Sequence, residues 1–363
     1  DLIVSVINDL ISDQRVNRTC ETLTELGFEV LLVGRSLKKS LPLKPRTYQT
    51  QRMNLVFEKG ALFYAEYNIR LFLFLLFKKF QILHSNDLDT LLANRLVQKI
   101  KGGELDYDSH EYFTEVPELI TRPRTRSFWV KLESFIFPKL KNIITVNQKL
   151  AEIYGLHSNV FVTMIRNVSS TSHTKEVKSL TFLKKDQKMI LYQGALNMGR
   201  GLELMIDAMP YLKNYLLVLA GEGDIIESLK LRVKEKQLKE SVIFLGKLKP
   251  DELVNLTKRA DLGLSLEEDL GLNYRYCLPN KVFDYINARI PILVSELPML
   301  QEVLKQYKVG ECLRKRNPKS LAVAIEKIIV NKSEYLQELE RAAADLNWEN
   351  EKKILIEFIK TIE

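Results

Sequence analysis

The sequence predicts an α/β protein made of two similar domains, each built on a parallel sheet. Apolar runs of strand length alternate with amphipathic helical stretches, which is typical of βαβ units. This alternation stops near residue 170 and then restarts, and 363 residues exceed one ordinary core. We therefore predict domains at 1–168 and 169–345, with 346–363 forming a helix that returns to the first domain.

The individual elements follow from the apolar periodicity. Strands are predicted at 3–7, 29–33, 81–84, 104–107, 143–146, 189–193, 216–220, 242–245, 262–266 and 292–294, and helices at 15–26, 90–101, 202–209 and 348–362. The segment Asn167–Lys188 is rich in Ser, Thr and Lys and is the predicted linker. Ligands of open parallel sheets bind beyond the carboxyl ends of the strands. We therefore expect the two sheets to face each other across a cleft.

Charge and cysteine content restrict the partners and the compartment. The net charge of +8 and the pI of about 9.1 favour anionic partners, namely phosphorylated ligands, nucleic acid or an anionic membrane surface. The three cysteines form no CxxC pair, which predicts reduced thiols in the cytoplasm. The opening run Leu2–Ile7 is interpreted as a strand, not as a secretion signal, and the apolar run Leu71–Phe77 is too short to span a bilayer.

A loop punctuated by glycines follows the first predicted strand of the second half. Gly194, Gly199 and Gly201 stand where a strand runs into a helix, and Arg200 lies between the last two. Glycines let a backbone approach a phosphate, a helix N-terminus offers unpaired N–H groups, and a guanidinium can bridge diphosphate oxygens. Ordinary strand-to-helix turns also use glycines, so the pattern alone leaves both interpretations open.

A second candidate site lies on a helix that we expect to begin near Pro279. Lys281 and Asp284 are three residues apart and share one face of this helix, next to Asn280. The lysine suits a phosphate, and the carboxylate suits ribose hydroxyls. The alternative is a solvated ion pair on a surface helix.

Polar groups also follow three predicted strands of the first half. His84 ends one predicted strand, Asp87 follows it, and His110 follows the next, and a neutral histidine can donate to a sugar hydroxyl. Asp13, Arg15 and Arg18 follow the first strand. The alternative for the histidines is a structural role. The alternative for Asp13 is a helix cap, with Arg15 and Arg18 then solvated or meeting an anionic acceptor. The full acceptor-side set is Asp13, Arg15, Arg18, His84 and Asp87.

Two stretches could contact a membrane surface. They are Leu71–Lys79 and the basic, aromatic segment Arg122–Lys141, which contains Phe128, Trp129 and Lys131. The alternative is that both are ordinary helices packed on their own domain.

Taken together, these segments resemble the large retaining glycosyltransferase family with the GT-B fold, which is family four, or glycosyl transferases group 1. The resemblance covers essentially the whole chain. The matching segments are the Asn8–Val16 turn, Tyr107–Glu111, Gly194–Gly201, Ala220–Gly223, Leu278–Tyr285 and Trp348. It implies two Rossmann-like domains across a cleft, the second of them binding a nucleotide sugar.

The resemblance also implies roles for individual residues. Arg200 and Lys281 match cations at the donor diphosphate, Asp284 matches an acidic group at the ribose, and His110 matches the histidine beside the anomeric carbon of the transferred sugar. The implied donor-binding set is Gly194, Gly199, Gly201, Glu222, Gly223, Asn273, Tyr276, Pro279, Asn280 and Asp284, and the implied catalytic set is His110, Arg200 and Lys281.

This chain departs from the family pattern at two positions. Tyr276 stands where the family usually has the first glutamate of its Glu-x7-Glu pattern. Either Glu267, Glu268 or Asn273 supplies the contact to the donor sugar that this glutamate would make, or the contact is absent. Ala195 stands where the family often has arginine, which shifts diphosphate neutralisation towards Arg200 and Lys281.

The resemblance implies transfer of a sugar from a UDP- or GDP-sugar to a saccharide or lipid-linked acceptor in surface polysaccharide or glycolipid synthesis. We expect no cofactor, no metal, no nucleic acid, and a cytoplasmic location, with peripheral contact to the inner face of the plasma membrane left open. Asp87-Leu88-Asp89 imitates a metal-binding Asp-x-Asp but suits the start of a helix. The alternatives are a nucleotide-sugar epimerase of GT-B-like fold and a basic nucleic-acid-binding protein. A dehydrogenase is disfavoured because no G-x-G-x-x-G follows the first strand.

Overall fold

The chain folds into two compact units, seen in a computed structural model that describes residues 1–11, 13–38, 40, 42–170, 182–184 and 186–362. The first unit comprises Asp1–Asn167 and Glu351–Glu363, and the second comprises Val168–Asn350. The predicted linker 167–188 falls largely on residues 171–181 and 185, which lie outside the described residues.

The first unit is built on a seven-stranded parallel sheet with the strand order β3-β2-β1-β4-β5-β6-β7. The strands are β1 (Leu2–Asp9), β2 (Val30–Ser36), β3 (Gln49–Asn54), β4 (Ile82–Asn86), β5 (Glu104–Ser109), β6 (Asn142–Thr145) and β7 (Val162–Met164). The helices are α1 (Gln14–Glu25), α2 (Gly60–Leu76), α3 (Leu88–Lys101), α4 (Pro117–Ile120), α5 (Pro123–Ile136) and α6 (Gln148–Ser158).

The second unit repeats the arrangement with a six-stranded parallel sheet of order β10-β9-β8-β11-β12-β13. The strands are β8 (Lys188–Gln193), β9 (Tyr215–Ala220), β10 (Val242–Gly246), β11 (Leu262–Ser265), β12 (Ile292–Ser295) and β13 (Gly310–Leu313). The helices are α7 (Leu202–Ala208), α8 (Ile226–Glu235), α9 (Pro250–Lys258), α10 (Leu272–Arg275), α11 (Asn280–Asn287), α12 (Pro298–Gln306), α13 (Pro318–Val330) and α14 (Leu336–Asp345).

The central strands form the core of each unit because helices cover both faces of a parallel sheet. Residues 2–7 of β1 and residues 189–193 of β8 are all buried. Such strands appear in the sequence as continuous apolar runs, and all ten predicted strands are present, with bounds that differ by no more than three residues at either end.

Three strands were missed by the sequence analysis, namely β3, β7 and β13, and each lies at the edge of its sheet. Their sequences are Gln-Thr-Gln-Arg-Met-Asn, Val-Thr-Met and Gly-Glu-Cys-Leu. An edge strand is short and often polar because it is covered less completely and must discourage pairing with other chains. These strands therefore lack the apolar run on which the predictions relied.

The last helix, α15 (Trp348–Lys360), spans the boundary between the units. The Trp348 N–H donates to the Ser169 carbonyl in the second unit. From Glu351 onward the helix belongs to the first unit, where the Glu351 carboxylate accepts from the Arg166 N–H at 2.7 Å and from its guanidinium at 2.6 Å. The boundaries between the units therefore fall after 167 and 350, whereas the sequence analysis put them after 168 and 345.

Candidate active site

The strand order places a crevice at the same point of each sheet. In both sheets the order reverses at the first strand, between β1 and β4 in one and between β8 and β11 in the other. Ligands of doubly wound sheets bind beyond the carboxyl ends of the strands at such a reversal. The predicted site residues follow these strands, so the topology gathers them into one cluster in each domain.

In the second domain, two glycines allow the loops beyond β8, β9 and β11 to touch through their backbones. A Cβ added at Gly221, where φ is +152°, would lie 1.8 Å from the Gly194 carbonyl oxygen. A Cβ at Gly201, where φ is +72°, would lie 2.3 Å from the Leu266 carbonyl oxygen. Only glycine permits both the close approach and the positive φ. The loop at 194–201 is therefore held between its two neighbours.

We predict that Gly221→Ala destabilises the second domain by about 3 kcal/mol, the upper end of the usual cost of overpacking, because the new methyl group meets rigid backbone. The matched control is Gly246→Ala. Gly246 also has a positive φ, of +67°, but has no atom within 4 Å of the added Cβ, so only backbone strain of about 1 kcal/mol is expected. Urea unfolding measures both, and equal losses would contradict the close packing of these loops.

A buried carboxylate between two cations is the centre of this cluster. Glu267, two residues beyond β11, is fully buried, and its Oε1 lies 2.6 Å from Lys281 Nζ and 3.6 Å from Arg200 Nη1. Its Oε2 accepts a hydrogen bond from Ser265 Oγ at 2.7 Å. Lys281 Nζ also lies 4.3 Å from the centre of the Tyr192 ring. The predicted diphosphate ligands Arg200 and Lys281 are thus brought together.

All three groups of the cluster carry charge. Burial raises the pKa of Glu267, but Lys281 and Arg200 lower it by more, so that the net pKa lies below its ordinary value. Burial lowers the pKa of Lys281, but Glu267 raises it, and the net direction is upward. The pKa of Arg200 is likewise raised by Glu267 against the effect of burial. The cluster therefore has a net charge of one positive, set in a largely desolvated position where it attracts anions strongly.

Asp284 lies on the same helix as Lys281 but has different partners. Its Oδ2 accepts from Gln193 Nε2 at 2.8 Å, and Gln193 Oε1 in turn accepts from Thr257 Oγ1 at 2.7 Å. Lys281 is only 7% exposed and bonds to Glu267. The alternative of a solvated Lys281–Asp284 pair on a surface helix is therefore wrong. Gln193 and Thr257 were not predicted. For Gln193, a polar residue that ends a buried strand was a usable signal, whereas Thr257 lies within α9.

Arg316 also contributes to this region and was missed, because it belongs to no recognisable motif. Its guanidinium donates to the carbonyl oxygens of Leu266 at 2.9 Å and Glu267 at 3.3 Å, and to Ser295 Oγ at 2.6 Å. These bonds tie the end of β11 to the end of β12. They fix the backbone that carries the buried carboxylate.

The remaining predicted donor residues lie on the loops and short helices around this cluster. Glu268 donates its N–H to the Gly199 carbonyl oxygen, and Leu196 donates to the Glu222 carbonyl oxygen. Asn273 lies in α10, Tyr276 is the residue that ends it, Pro279 precedes the first turn of α11, Asn280 begins that helix, and Gly223 packs against Leu196 and Asn197. Of the three candidates for the missing glutamate, Glu267 is the one in contact with both cations.

In the first domain, the structure gathers carboxylates and imidazoles at the ends of β4 and β5. His84 Nδ1 lies 2.5 Å from Asp106 Oδ2, and both side chains are fully buried. His110 Nδ1 lies 3.4 Å from Asp87 Oδ2, and its Nε2 lies 3.5 Å from Asp108 Oδ2. His84 is therefore an interior residue, not the cleft-edge residue that we expected.

The predicted acceptor-side residues of α1 have structural partners. Arg15 is 3% exposed, and its guanidinium makes two hydrogen bonds to Asp108, at 2.7 and 3.0 Å. The expectation that Arg15 is solvated or meets an acceptor is therefore wrong, since the compensating carboxylate lies 93 residues away in sequence. Arg18 Nη2 donates to Asn167 Oδ1 at 2.9 Å. Asp13 caps α1 by accepting from the Val16 N–H, as the capping alternative predicted.

Asp87 and His110 are locked together by backbone bonds. The His110 N–H donates to Asp87 Oδ1 at 2.9 Å, and the Asp87 N–H donates to the Asp108 carbonyl at 2.9 Å. Asp87 has a φ of +57°, a strained conformation for this residue type that is often retained at functional sites. Asp87 occupies the cap position of α3 but makes no side-chain cap bond to it, while Asp89 lies in the first turn as expected.

His110 differs from the neutral donor that the sequence analysis assumed. Burial lowers its pKa, but Asp87 and Asp108 raise it, to about 9. The imidazole is therefore charged at neutral pH, and each ring N–H faces a carboxylate at more than 3.3 Å, longer than an ordinary hydrogen bond. Because these contacts are loose, the ring can donate instead to a hydroxyl of a ligand.

Fold and site together define a GT-B architecture of two Rossmann-like domains, as predicted. The chain has a TM-score of 0.80 with sucrose-phosphate synthase from Thermosynechococcus elongatus at 17% identity, covering 99% of this chain and 98% of the other. It has a TM-score of 0.72 with Anabaena HepE, solved in complex with UDP and glucose, at 13% identity over 99% of both chains.

The sequence comparisons agree with the resemblance over the second half of the chain. Residues 174–345 match the family model of glycosyl transferases group 1. The uncharacterized glycosyltransferase MJ1607 from Methanocaldococcus jannaschii is 30% identical over 152 residues, which make up 40% of this chain and 37% of that relative.

Proposed function

We propose that this protein is a retaining glycosyltransferase that moves a sugar, of hexose type, from a UDP- or GDP-sugar to a saccharide or lipid-linked acceptor. One observation carries the proposal: Arg200, Lys281 and Glu267 converge beside a glycine loop at the strand reversal of a group 1 glycosyltransferase domain. HepE, which shares the fold, was solved with UDP and glucose. We assign the diphosphate to the two cations and the ribose hydroxyls to Asp284.

The reaction requires stabilisation of the charge that grows on the departing nucleoside diphosphate. Cations that are already in place stabilise such charge without reorganisation, and their effect is strongest where water is excluded. Glu267 holds Lys281 by a hydrogen bond of 2.6 Å and attracts Arg200 across 3.6 Å, so both cations face one buried carboxylate before the donor arrives. The same pairing leaves Glu267 unsuited to be a nucleophile. In a retaining reaction a leaving phosphate oxygen then takes the proton of the acceptor hydroxyl as the new glycosidic bond forms.

A thermal-shift panel of UDP-, GDP- and ADP-sugars tests the proposal. Only a bound donor raises the melting temperature, and at 100 times its Kd it adds about 2.7 kcal/mol to the free energy of unfolding. NMR of the products then separates the alternatives, because an epimerase consumes donor without acceptor and a retaining transferase yields a product with the donor's anomeric configuration. The proposal would be contradicted if no donor raised the melting temperature. It would also be contradicted if the protein bound nucleic acid in a salt-sensitive manner and bound no donor.

We propose that the transfer needs no metal ion. Within the described ranges, no group of three or more His, Cys, Asp or Glu side chains is arranged to hold one. Activity is expected to be the same in EDTA as in buffer. Loss of activity in EDTA that manganese restores would contradict this.

We further propose that the protein acts at the cytoplasmic face of the plasma membrane, through one face of α5. Arg124, Phe128, Lys131 and Phe135 are all exposed and spaced 4, 3 and 4 residues apart, so they form one stripe of alternating cations and aromatic rings. Such a stripe suits an anionic bilayer surface. Trp129, which we had counted with this segment, is instead buried against Tyr64 and Phe113. None of the helices in the described parts of the chain is long and apolar enough to span a bilayer.

Co-sedimentation with phosphatidylglycerol vesicles tests this surface. The wild type is expected to pellet with them at low salt, and Phe128→Ser with Phe135→Ser is expected to weaken the binding at least 10-fold. The control is Leu156→Ser, another exposed apolar residue of the first domain, which lies on α6. Equal binding of the wild type and both variants would contradict the assignment.

A further inference from the structure

The His110 region continues inward as a row of alternating acids and imidazoles. From the interior outward the row runs Asp106, His84, Asp108, His110 and Asp87. Successive members are separated by 2.5, 3.9, 3.5 and 3.4 Å. Exposure of the side chains rises along the row from 0% at the first two to 18% at the last. The inner two members touch nothing that a substrate could reach.

The row, together with Arg15, is electrically neutral only when both imidazoles are protonated. Asp106, Asp108 and Asp87 contribute three negative charges, and Arg15 on Asp108 contributes one positive charge. Two imidazolium groups complete neutrality, which a desolvated cluster favours strongly. Burial lowers the pKa of His84 and Asp106 raises it, with a net rise, in agreement with this charge balance.

Two polar atoms in the interior are not accounted for by packing alone. His84 Nε2 and Asp106 Oδ1 have no hydrogen-bond partner among the described residues. A buried polar atom without a partner destabilises the folded protein, because it has lost its hydrogen bonds to water. A neutral apolar pair of the same size would fill the space without that cost. Packing therefore gives no reason for the buried charges of His84 and Asp106.

We propose that Asp106 and His84 are positioning residues that act through Asp108 to tune how tightly His110 holds its proton. Asp108 is the shared element, because its Oδ2 faces both imidazoles and its carboxylate is anchored by Arg15. A charged His84 draws on the same carboxylate that stabilises charged His110, and the two positive charges repel each other. The inner pair therefore moderates His110. Its catalytic meaning rests on the proposed function, whereas the coupling itself does not.

The geometry predicts that two substitutions, Asp106→Asn and Asp87→Asn, shift the pKa of His110 in opposite directions. Asp106→Asn removes the counter-ion of His84, which then loses its proton in the interior. His110 is then the one charged imidazole beside Asp108, so the pKa of His110 rises by about 0.5 to 1 unit. Asp87→Asn removes a carboxylate 3.4 Å from the His110 ring, and the pKa of His110 falls by about 1 unit or more. Both replacements are nearly isosteric.

Besides Asp87, Asp106 and His84, whose charges differ between the variants, the charged groups near His110 remain constant. Those that face it or its carboxylate neighbours are Asp13 and Arg15 on or before α1, Asp89 on α3, and Asp108 and Glu111 in or after β5.

Proton NMR titration of the histidine ring resonances of the intact protein tests the coupling. The chain has four histidines, so the signals can be assigned with His84→Gln and His110→Gln, and His157, which faces Glu133 on another surface, serves as the reference. The His110 midpoint is expected to move up in Asp106→Asn and down in Asp87→Asn. A purely structural role for Asp106 would lower thermal stability and leave the His110 midpoint in place, and that result, or a downward shift, overturns the proposal.

The pH dependence of kcat/KM gives the functional counterpart. If charged His110 donates to the transferred sugar, activity falls as the pH passes its pKa, and the alkaline limb should shift in the same directions as the two titrations. The NMR result needs no turnover, so loss of the glycosyltransferase assignment would leave it standing. Conversely, if every variant turns over at the wild-type rate and the His110 titration midpoint does not move, the coupling is rejected and the glycosyltransferase assignment is not.

Discussion

Replacing Arg200 with alanine is expected to lower kcat by about 100-fold, the loss that usually follows removal of one preorganised donor. The guanidinium lies 3.6 Å from Glu267 and 4.8 Å from the centre of the Tyr274 ring, so it faces a carboxylate and an aromatic ring before any ligand binds. Its charge is needed most when the leaving diphosphate becomes more negative. The fall should therefore appear in kcat and not only in KM.

The control for Arg200 is Arg275→Ala. Arg275 is a neighbouring arginine of α10 that is 48% exposed and paired with Asp269. Its loss is expected to change kcat less than twofold, because an exposed ion pair contributes little. Both variants should be compared at equal thermal stability. A folded Arg200→Ala protein with nearly wild-type turnover would remove this residue from the mechanism.

Replacing Lys281 with methionine is expected to destabilise the second domain by about 3 kcal/mol, because it leaves Glu267 buried with only the more distant Arg200. Removing one member of a buried ion pair is far more costly than removing both. The double variant Lys281→Met with Glu267→Gln should therefore recover most of the lost stability. It should not recover donor binding, because the diphosphate still lacks a cation.

Urea unfolding and donor titration, applied to the single and double variants, separate the two roles of Lys281. Recovery of stability without recovery of donor binding is the expected pattern. If the double variant also binds donor like the wild type, Lys281 is structural only. If Lys281→Met is as stable as the wild type, the ion pair does not have the strength that its burial implies.

Central strands and the loops that follow them could be predicted from this sequence, whereas three of the four edge strands, β3, β7 and β13, could not. The strands flanking each reversal are buried on both faces, so their apolar runs are visible without any structure. The glycine loop and the Lys281 helix are local patterns and were likewise found. The polar edge strand β3 resembles a loop, because its stability comes from pairing with β2 and not from an apolar run.

Pairings between distant charges were the part that sequence reasoning could not supply. Glu267, Glu268 and Asp269 are consecutive acidic residues, and only the fold shows that the first of them points inward to Lys281. Arg15, on α1, looked like a surface arginine because its partner, Asp108, lies on β5, 93 residues away in the sequence. A buried ion pair and a solvated charge are identical in sequence, so any rule that assigns charges to the surface fails at such sites.

The central claim is that the second domain holds a pyrophosphate between Arg200 and Lys281. A crystal structure of the protein with UDP-glucose or GDP-mannose tests it most directly. The account predicts both phosphates within hydrogen-bond distance of these two side chains, and the ribose hydroxyls at Asp284. A nucleotide bound elsewhere, with Glu267 still closing the gap between the two cations, would contradict it.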